Sequence, residues 1–442
     1  VWGDPVIACD AYENFYFFHL SNPDVGEWID RIVCQKSDDA GISWNNGSYM
    51  GLNGSKEQDK EWVSIDRTNN HIYATWTEFD SYGSTQQEDS SKIMFSMSSD
   101  EGGTWSPAMR INKTAGDCID NDHTVEGAVP AVGPNGEVYV AWAGRSPEGD
   151  LGILFDKSYD HGNTWLDNDI FADNFPGGWV FDIPGISRCN GLPVTKCDTS
   201  GGDFHGRIYI NWTDQENGSD DVDVWLIYSD DEGETWSEKK RVNNDPPGKL
   251  QFFTWMDIDQ TNGKLYFIFY DRRNHDDNLT DVYMAVSEDG GDTFTNTMIS
   301  ETPFNPSSSV FFGDYTNISV HNGKIAPIWA RADGTSRSIR TIVPAGSDIK
   351  NINNLISTEV FPNPSEGLFY FAFKLRKPSN VNLEVVDLFG KNIVTLIDSE
   401  EYPYGKFVIS FNPAEYNLSS GVYFFRYYNN ETQIVKKIIY NK

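Results

Sequence analysis

Apolar residues recur at every second position in short runs, and polar, glycine-rich turns separate the runs. Six of them share one form, a polar turn followed by an alternating aromatic stretch. They read Asn14-Phe-Tyr-Phe-Phe, His71-Ile-Tyr-Ala-Thr-Trp, Glu137-Val-Tyr-Val-Ala-Trp, Arg207-Ile-Tyr-Ile-Asn-Trp, Lys264-Leu-Tyr-Phe-Ile-Phe and Lys324-Ile-Ala-Pro-Ile-Trp. A period of two predicts strands. Another short strand precedes most of them, as in Trp62-Val-Ser-Ile-Asp66 and Ala128-Val-Pro-Ala-Val132. A third follows, as in Ile93-Met-Phe-Ser-Met97, and then a fourth, as in Arg241-Val242. No run approaches the roughly 18 consecutive apolar residues of a membrane helix.

A second motif keeps step with the strands. Ser37 to Trp44 fits Ser-x-Asp-x-Gly-x-Ser/Thr-Trp, as do Ser98 to Trp105, Ser158 to Trp165 and Ser229 to Trp236; Ser287 to Phe294 ends in Phe. The third-position aspartates are Asp39, Asp100, Asp160, Asp231 and Asp289, so the copies lie 61, 60, 71 and 58 residues apart. Each residue type has a local task. The carboxylate accepts bonds from its own turn, Gly supplies positive φ, and the hydroxyl closes the turn. The aromatic ring packs the hairpin onto the sheet.

Four strands per unit, in units of roughly 50–70 residues, are the blades of a propeller. The expected fold is all-β: a six-bladed β-propeller over residues 1–345, then a linker at 346–357 and a small β-sandwich over 358–442. The sixth unit lacks the box and runs through a shortened hairpin from Arg331 to Val343, so ring closure should involve it and the N-terminal segment. The repeats resemble the sialidase-like superfamily of Asp-box (BNR repeat) propellers. That superfamily includes sialidases, other glycosidases, lectins and proteins without known activity, so the boxes speak for the fold and not for an activity.

Beyond an Asn-rich stretch, short strands are expected at Leu368 to Phe373, Asn382 to Asp387, Lys406 to Phe411, Val422 to Tyr428 and Ile434 to Tyr440. This region is similar to the C-terminal sorting domain of the type IX secretion system of Bacteroidetes. The matching elements are Pro362-Asn363-Pro364, Val386-Asp387-Leu388-Phe389-Gly390, Gly421-Val422-Tyr423 and Lys436-Lys437-Ile438. The resemblance implies export across the outer membrane, release or surface attachment, and the translocon and outer-membrane shuttle as partners. An accessory glycan-binding sandwich is the alternative. No leader is visible at Val1, and the reading takes the sequence to start after its removal.

With 34 basic and 66 acidic residues the chain carries a formal charge of −32. Such a surface repels nucleic acid and anionic lipid, which excludes both as main partners. The five cysteines lack zinc spacing. Cys189 with Cys197, and Cys9 with Cys34, are candidate disulfides, leaving Cys118. No cofactor is required; calcium is a candidate at Asp276-Asp277 or at Asp220, Asp221 and Asp223, with a solvated acidic loop as the alternative.

Propellers bind ligands at the mouth of the axial channel. The boxes fall between third and fourth strands, so the opposite rim is the candidate. Its first-strand entries carry Asp4, Asp59-Lys60-Glu61-Trp62, His123, Glu126, Trp255 and Asp314-Tyr315. Its second-strand exits carry Glu78, Asp80, Arg145, Asp214, Asp271-Arg272-Arg273 and Arg331. Guanidinium groups bind carboxylates and aromatic faces stack on sugar rings, so the set suits a glycan. Arg145, Arg272, Arg273, Arg331, Trp62, Trp255 and Asp314 are the expected substrate contacts. The sialidase resemblance further implies an arginine cluster from Arg145, Arg273 and Arg331, a nucleophile at Tyr315 and an acid at Asp59 or Glu61. Sialidases also carry an Arg-Ile-Pro element near the start, where this chain reads Val1-Trp-Gly-Asp-Pro5. Two function classes follow: a secreted or cell-surface propeller that binds or cleaves a glycan, or a non-catalytic lectin-like, adhesive or structural surface protein. Any single one of these side chains also has a structural role open to it, as core packing or as half of an ion pair.

Overall fold

The computed structural model describes residues 3–22, 29–342, 355–375, 378–388, 390–429 and 433–441. The chain divides into two compact units, Val1–Pro344 and Ala345–Lys442. The first is a six-bladed propeller in which every sheet is built in chain order.

Blade one is β1 (Gly3–Cys9), β2 (Phe15–Ser21), β3 (Arg31–Ser37) and β4 (Ser48–Met50), and blade two is β5 (Glu57–Asp66), β6 (His71–Phe79), β7 (Ser91–Ser98) and β8 (Met109–Arg110). Blade three is β9 (Glu126–Val132), β10 (Val138–Arg145), β11 (Leu151–Ser158) and β12 (Ile170–Asn174). A small hairpin follows, β13 (Val180–Phe181) with β14 (Cys189–Asn190). Blade four is β15 (Val194–Cys197), β16 (Ile208–Asp214), β17 (Asp223–Ser229) and β18 (Lys240–Arg241), and blade five is β19 (Gln251–Asp259), β20 (Lys264–Asp271), β21 (Asp281–Ser287) and β22 (Thr295–Met298). Blade six has three strands among the described residues: β23 (Asn317–His321), β24 (Lys324–Asp333) and β25 (Ser336–Thr341). The first strands touch their neighbours in succession from β1 to β23. Tyr315, just before β23, donates its hydroxyl proton to Asp4 of β1, and this joins the ends of the ring.

The alternating aromatic strands are the second strands of the blades. In blades two to five they are buried because both of their faces meet neighbouring sheets, and Trp76, Trp142 and Trp212 have no exposed surface; in blade six β24 leaves Lys324, Ala326 and Ile328 exposed. The boxes adopt the expected turn. In the second, Ser98 Oγ donates to Asp100 at 2.8 Å, and Thr104 donates to the same carboxylate from N at 2.8 Å and from Oγ1 at 2.7 Å. The box rings reach further than their own hairpin. Trp105 packs on Phe18 of blade one, Trp165 on Phe95 of blade two and Trp236 on Phe155 of blade three. The box glycines explain how. Gly162 has φ +85°, and a Cβ there would lie 2.1 Å from Phe95 Cζ; one at Gly233 would lie 2.3 Å from Phe155 Cε1. Only hydrogen leaves room for blades to meet so closely, so each of these boxes clips its blade to the one before.

The disulfide expectation is corrected: all five cysteines are free thiols. Cys9 lies in β1 and Cys34 in β3, with β2 between them. Two strand spacings, roughly 9–10 Å, exceed the Cα separation a disulfide spans. Cys189 packs in the central core, whereas Cys197 joins the cluster between blades three and four. Burial pushes the Cys34 thiol up to about 12.

The second unit is a sandwich of two sheets. One has the order β26 (Leu355–Phe361), β27 (Phe369–Leu375), β30 (Gly405–Phe411). The other has the order β29 (Asn392–Tyr402), β28 (Ser379–Val386), β31 (Gly421–Tyr428), β32 (Gln433–Tyr440). Phe371, Phe373, Phe425 and Tyr427 are buried in the core of this unit. Of the segment read as a linker, 346–354 lies outside the described residues and Leu355–Ser357 belong to β26. Val343, the expected end of the sixth hairpin, also lies outside them.

Candidate functional site

The rim opposite the boxes is shaped by a repeated irregularity. In blades one, two, three and five the first strand slips register against the second near its start: between Gly3 and Val6, Asp59 and Trp62, Glu126 and Val129, and Phe252 and Trp255. A left-handed residue sits in each slip: Asp4 (φ 47°), Lys60 (φ 50°), Gly127 (φ 76°) and Phe253 (φ 52°). Such bulges bend a strand end and re-aim its side chains. Asp, Lys and Phe at positive φ are uncommon, and strain of this kind collects at functional sites.

Three of the bulges, those at Lys60, Gly127 and Phe253, border a narrow hollow. Its wall includes Lys60, Trp62, Asn190, Trp255, Asp314 and Tyr315. Trp62 and Trp255 lie 4.2 Å apart at the ring centroids, with the Tyr315 ring edge-on to Trp62 at 5.0 Å. Lys60 is 5% exposed and stands 3.7 Å from Asp59 and 3.6 Å from Glu126. Glu61 and Glu126 have no exposed surface, and none of their four carboxylate oxygens has a hydrogen-bond donor.

The charges are strongly perturbed. Burial pushes the Asp59 carboxyl up to about 7, against the pull of Lys60 and with the help of Asp4. Burial likewise raises Glu61 and Glu126 well above the ordinary range. Burial alone would lower Lys60, but Asp59 and Glu126 hold it well above its ordinary value. The Tyr315 hydroxyl is raised by burial and then by Asp4. A carboxyl that titrates near neutrality beside a tyrosine and further acids has the make-up used in general acid–base chemistry.

A strap completes the rim. The β13–β14 hairpin is bonded to the entry of blade three through Val180 N and Asp122 at 2.8 Å. At the entry of blade six, Arg188 forms a two-pronged bond to Asp314, with Nε at 2.8 Å and Nη2 at 2.5 Å. Asn190 donates to the Asp314 carbonyl at 2.9 Å. Arg188 and Asn190 were not among the expected site residues. The signal for the strap was present in the 71-residue gap between the third and fourth boxes, ten or more beyond the others.

Of the expected residues, Trp62, Trp255, Asp314 and Tyr315 line the hollow, while Asp59 stands behind its wall beside Lys60 and Glu61 is fully buried. The arginines do not gather there. Arg145 bonds His123 at 2.6 Å. Arg273 is bound to Asp271 at 2.9 Å and stacks 4.1 Å over Tyr283. Arg331 is bound to Asp333 at 2.8 Å and to the Thr302 carbonyl at 2.8 Å. Arg272 is buried, bonds Thr280 at 3.1 Å and leaves Nη2 without a partner. All four thus have partners within their own blade or its loops. The proposed calcium carboxylates are engaged as well: Asp276 by Lys249 at 2.7 Å, Asp221 by Gly248 N at 2.6 Å and Asp223 by Asn243 at 2.6 Å. Among the described residues no three or more His, Cys, Asp or Glu side chains are grouped to hold a metal ion.

The model of the BNR repeat-like domain matches residues 70–337. The chain belongs to the BNR repeat-like family. The secretion system C-terminal sorting domain matches residues 359–441 of this BNR protein, which is exported by the type IX system and is secreted or held at the cell surface. No described helix is long and apolar enough to cross a membrane. No curated protein matches the chain. Among solved structures, a Hadza microbial sialidase is similar at 16% identity and a TM-score of 0.50, over 77% of this chain and 65% of that one. The chain therefore spans just under two thirds of that relative. Trypanosoma rangeli sialidase, solved with the inhibitor DANA, is similar at 10% identity and a TM-score of 0.47, over 98% of this chain and 83% of that one. At such identities the likeness is one of fold alone.

Proposed function

We propose that this exported BNR propeller binds glycans in the axial hollow on the rim opposite its boxes. The observation that carries the reading is the convergence of the strand entries of blades two, three, five and six on one hollow bordered by Trp62, Trp255, Tyr315 and Asp314. Trp62 and Trp255 supply ring faces, and Asp314 and Asn190 supply polar contacts. Tyr315, Asp59 and Glu61 give the site the groups for glycoside cleavage, with Asp59 as the proton donor. The sialidase names among the structural neighbours support a sugar ligand in this reading. A sialic acid is not the favoured one, because Arg145, Arg273 and Arg331 have other partners and Asp4 stands beside Tyr315. The same dispersal of arginines favours the second reading, a lectin-like surface protein that binds without turnover.

The test is a glycan array with the intact protein, followed by fluorogenic glycosides with wild type, Tyr315→Phe and Asp59→Asn. Binding of a defined glycan that weakens in both variants is the expected result. Turnover that falls in both establishes the enzyme; binding without turnover establishes the lectin. Absence of binding to every glycan removes the proposal.

A further inference from the structure

Tyr315 and Asp4 join the ring at the axis, but further out blades six and one do not meet as other neighbours do. β1 packs on β5 and β19 on β23, whereas among the described residues no strand of blade six packs on blade one in that way. The boxes report the same gap. A Cβ at Gly102, Gly162, Gly233 or Gly291 would strike the preceding blade, at 2.9 Å from Cys34 Sγ, 2.1 Å from Phe95, 2.3 Å from Phe155 and 2.8 Å from Leu226. At Gly41, in the first box, it would reach only that box's own Trp44, at 3.6 Å. Trp44 in turn packs on Phe17 of its own blade. Apolar side chains are left bare on both sides of this seam: Ile7 (57% exposed) on blade one, and Ile328 (46%) and Ile339 (69%) on blade six.

Among the described residues β25 is the outer edge of blade six, which has three strands where the other blades have four. Its side chains alternate between two faces. Ile339 lies opposite Ala330 and Thr341 opposite Ile328, on the seam side. Arg340 lies opposite Trp329 and Ser338 opposite Arg331, on the other side, where Trp329, Arg331, Arg340 and Glu301 line a hollow of about 270 Å³. In a chain of formal charge −32, residues 324–341 carry four basic side chains and one acidic. The acid, Asp333, is bound to Arg331. Arg340 bonds the Ser338 hydroxyl and Arg337 the Phe311 carbonyl, and neither has an acidic partner among the described residues. Two guanidinium groups therefore remain against one carboxylate, Glu301.

We propose that the edge of β25 takes up an acidic peptide strand of a partner protein as the fourth strand of blade six. Strand addition draws on the unpaired N–H and C=O groups of an edge, and the surroundings of alternate side chains set the sequence it accepts. An added strand sends every second side chain toward Ile328 and Ile339 and the others toward Arg340. The pattern that fits thus alternates aliphatic residues with Asp or Glu. A second copy of β25 fits poorly, because edge-to-edge pairing brings the arginines of both copies together, and like charges across a strand pair repel. The site is separate from the axial hollow and does not depend on the glycan reading.

The experiment titrates the intact protein with an octapeptide that alternates valine with glutamate, with its counterpart carrying lysine for glutamate, and with the glutamate peptide interrupted by a central proline. Calorimetric heat and hydrogen exchange of the β25 amides are followed. The glutamate peptide should bind at least about tenfold more tightly than the lysine peptide, because exposed charge pairs add on one side and repel on the other. The proline peptide should not bind, and the amides of Ser336–Thr341 should exchange more slowly in the glutamate complex. Arg337→Glu with Arg340→Glu should reverse the preference at an unchanged melting temperature, since both side chains are exposed. Equal binding of the glutamate and lysine peptides, or no heat up to about 1 mM glutamate peptide, overturns the proposal. Protection of the β25 amides before any peptide is added shows that the chain itself covers the edge, and a dimer dispersed by Ile339→Lys shows a second copy there; either result overturns it too. A preference that survives both arginine substitutions overturns the assignment to those side chains.

Discussion

Lys60 is the keystone of the rim, and its replacement by methionine is the sharpest test of the electrostatics described above. The substitution keeps length and apolar stem but removes the charge that faces Asp59 and Glu126 at 3.7 and 3.6 Å. Breaking a buried pair by deleting one partner costs about 3–5 kcal/mol. Unfolding entropy of about 2.1 cal/mol/K per residue over the unit Val1–Pro344 amounts to roughly 0.7 kcal/mol/K. The propeller's melting temperature should therefore fall by roughly 4–7 °C near pH 8. The effect depends on pH with a definite sign. Asp59, Glu61 and Glu126 have folded values raised above their unfolded ones, Asp59 to about 7. Their protonation favours the folded state below the ordinary carboxylate range, and that contribution is lost as pH rises through the folded values. At pH 5 the acids are neutral and need no counter-charge, so Lys60→Met should cost little there. Scanning calorimetry at both pH values, with the Lys60→Met, Glu126→Gln double variant as a rescue, measures this. A loss below about 1 °C at pH 8, or the same loss at pH 5 and pH 8, refutes the reasoning.

Three further outcomes follow from the packing. Gly162→Ala should destabilise by about 2–4 kcal/mol, since its Cβ would meet Phe95 at 2.1 Å; Gly149→Ala, with open space around it, should cost about 1 kcal/mol in the same thermal scan. Asp231→Ala removes the acceptor for Ser229 and for both donors of Thr235, and should cost about 1 kcal/mol. Those bonds hold the Asp231 carboxyl below its ordinary value. Its contribution is therefore present at neutral pH and lost as pH falls through that lowered value, and a pH series of wild-type against variant stability checks it. Unfolded in denaturant without reductant, the chain should yield five titratable thiols, and a count of three or one would restore a disulfide.

The blades were legible because their information is local. Period-two alternation and the boxes each lie within a few residues, and both repeat. What the boxes do between blades was not legible, because Trp165 meets Phe95 only after two sheets pack. The sandwich strand β29 escaped notice for a similar reason: its pairing with β28 slips three times between Val381 and Val386, which breaks the alternation a strand otherwise shows. At the rim, strand-entry position was enough to bring together Asp59, Glu61, Trp62, Trp255, Asp314 and Tyr315. It was not enough for the arginines, since side chains that long are placed by whichever carboxylate lies nearest, as Asp271 takes Arg273 and Asp333 takes Arg331. The bulges had no sequence signal at Asp4, Lys60 or Phe253, where no glycine marks the left-handed turn.

The measurement that bears most directly on the account is a crystal structure of the protein grown with the tightest-binding oligosaccharide from the array. Sugar density is predicted at the strand entries of blades two, three, five and six, against Trp62 or Trp255. Density on the box rim or along an outer blade edge, with the axial hollow left unoccupied, contradicts it.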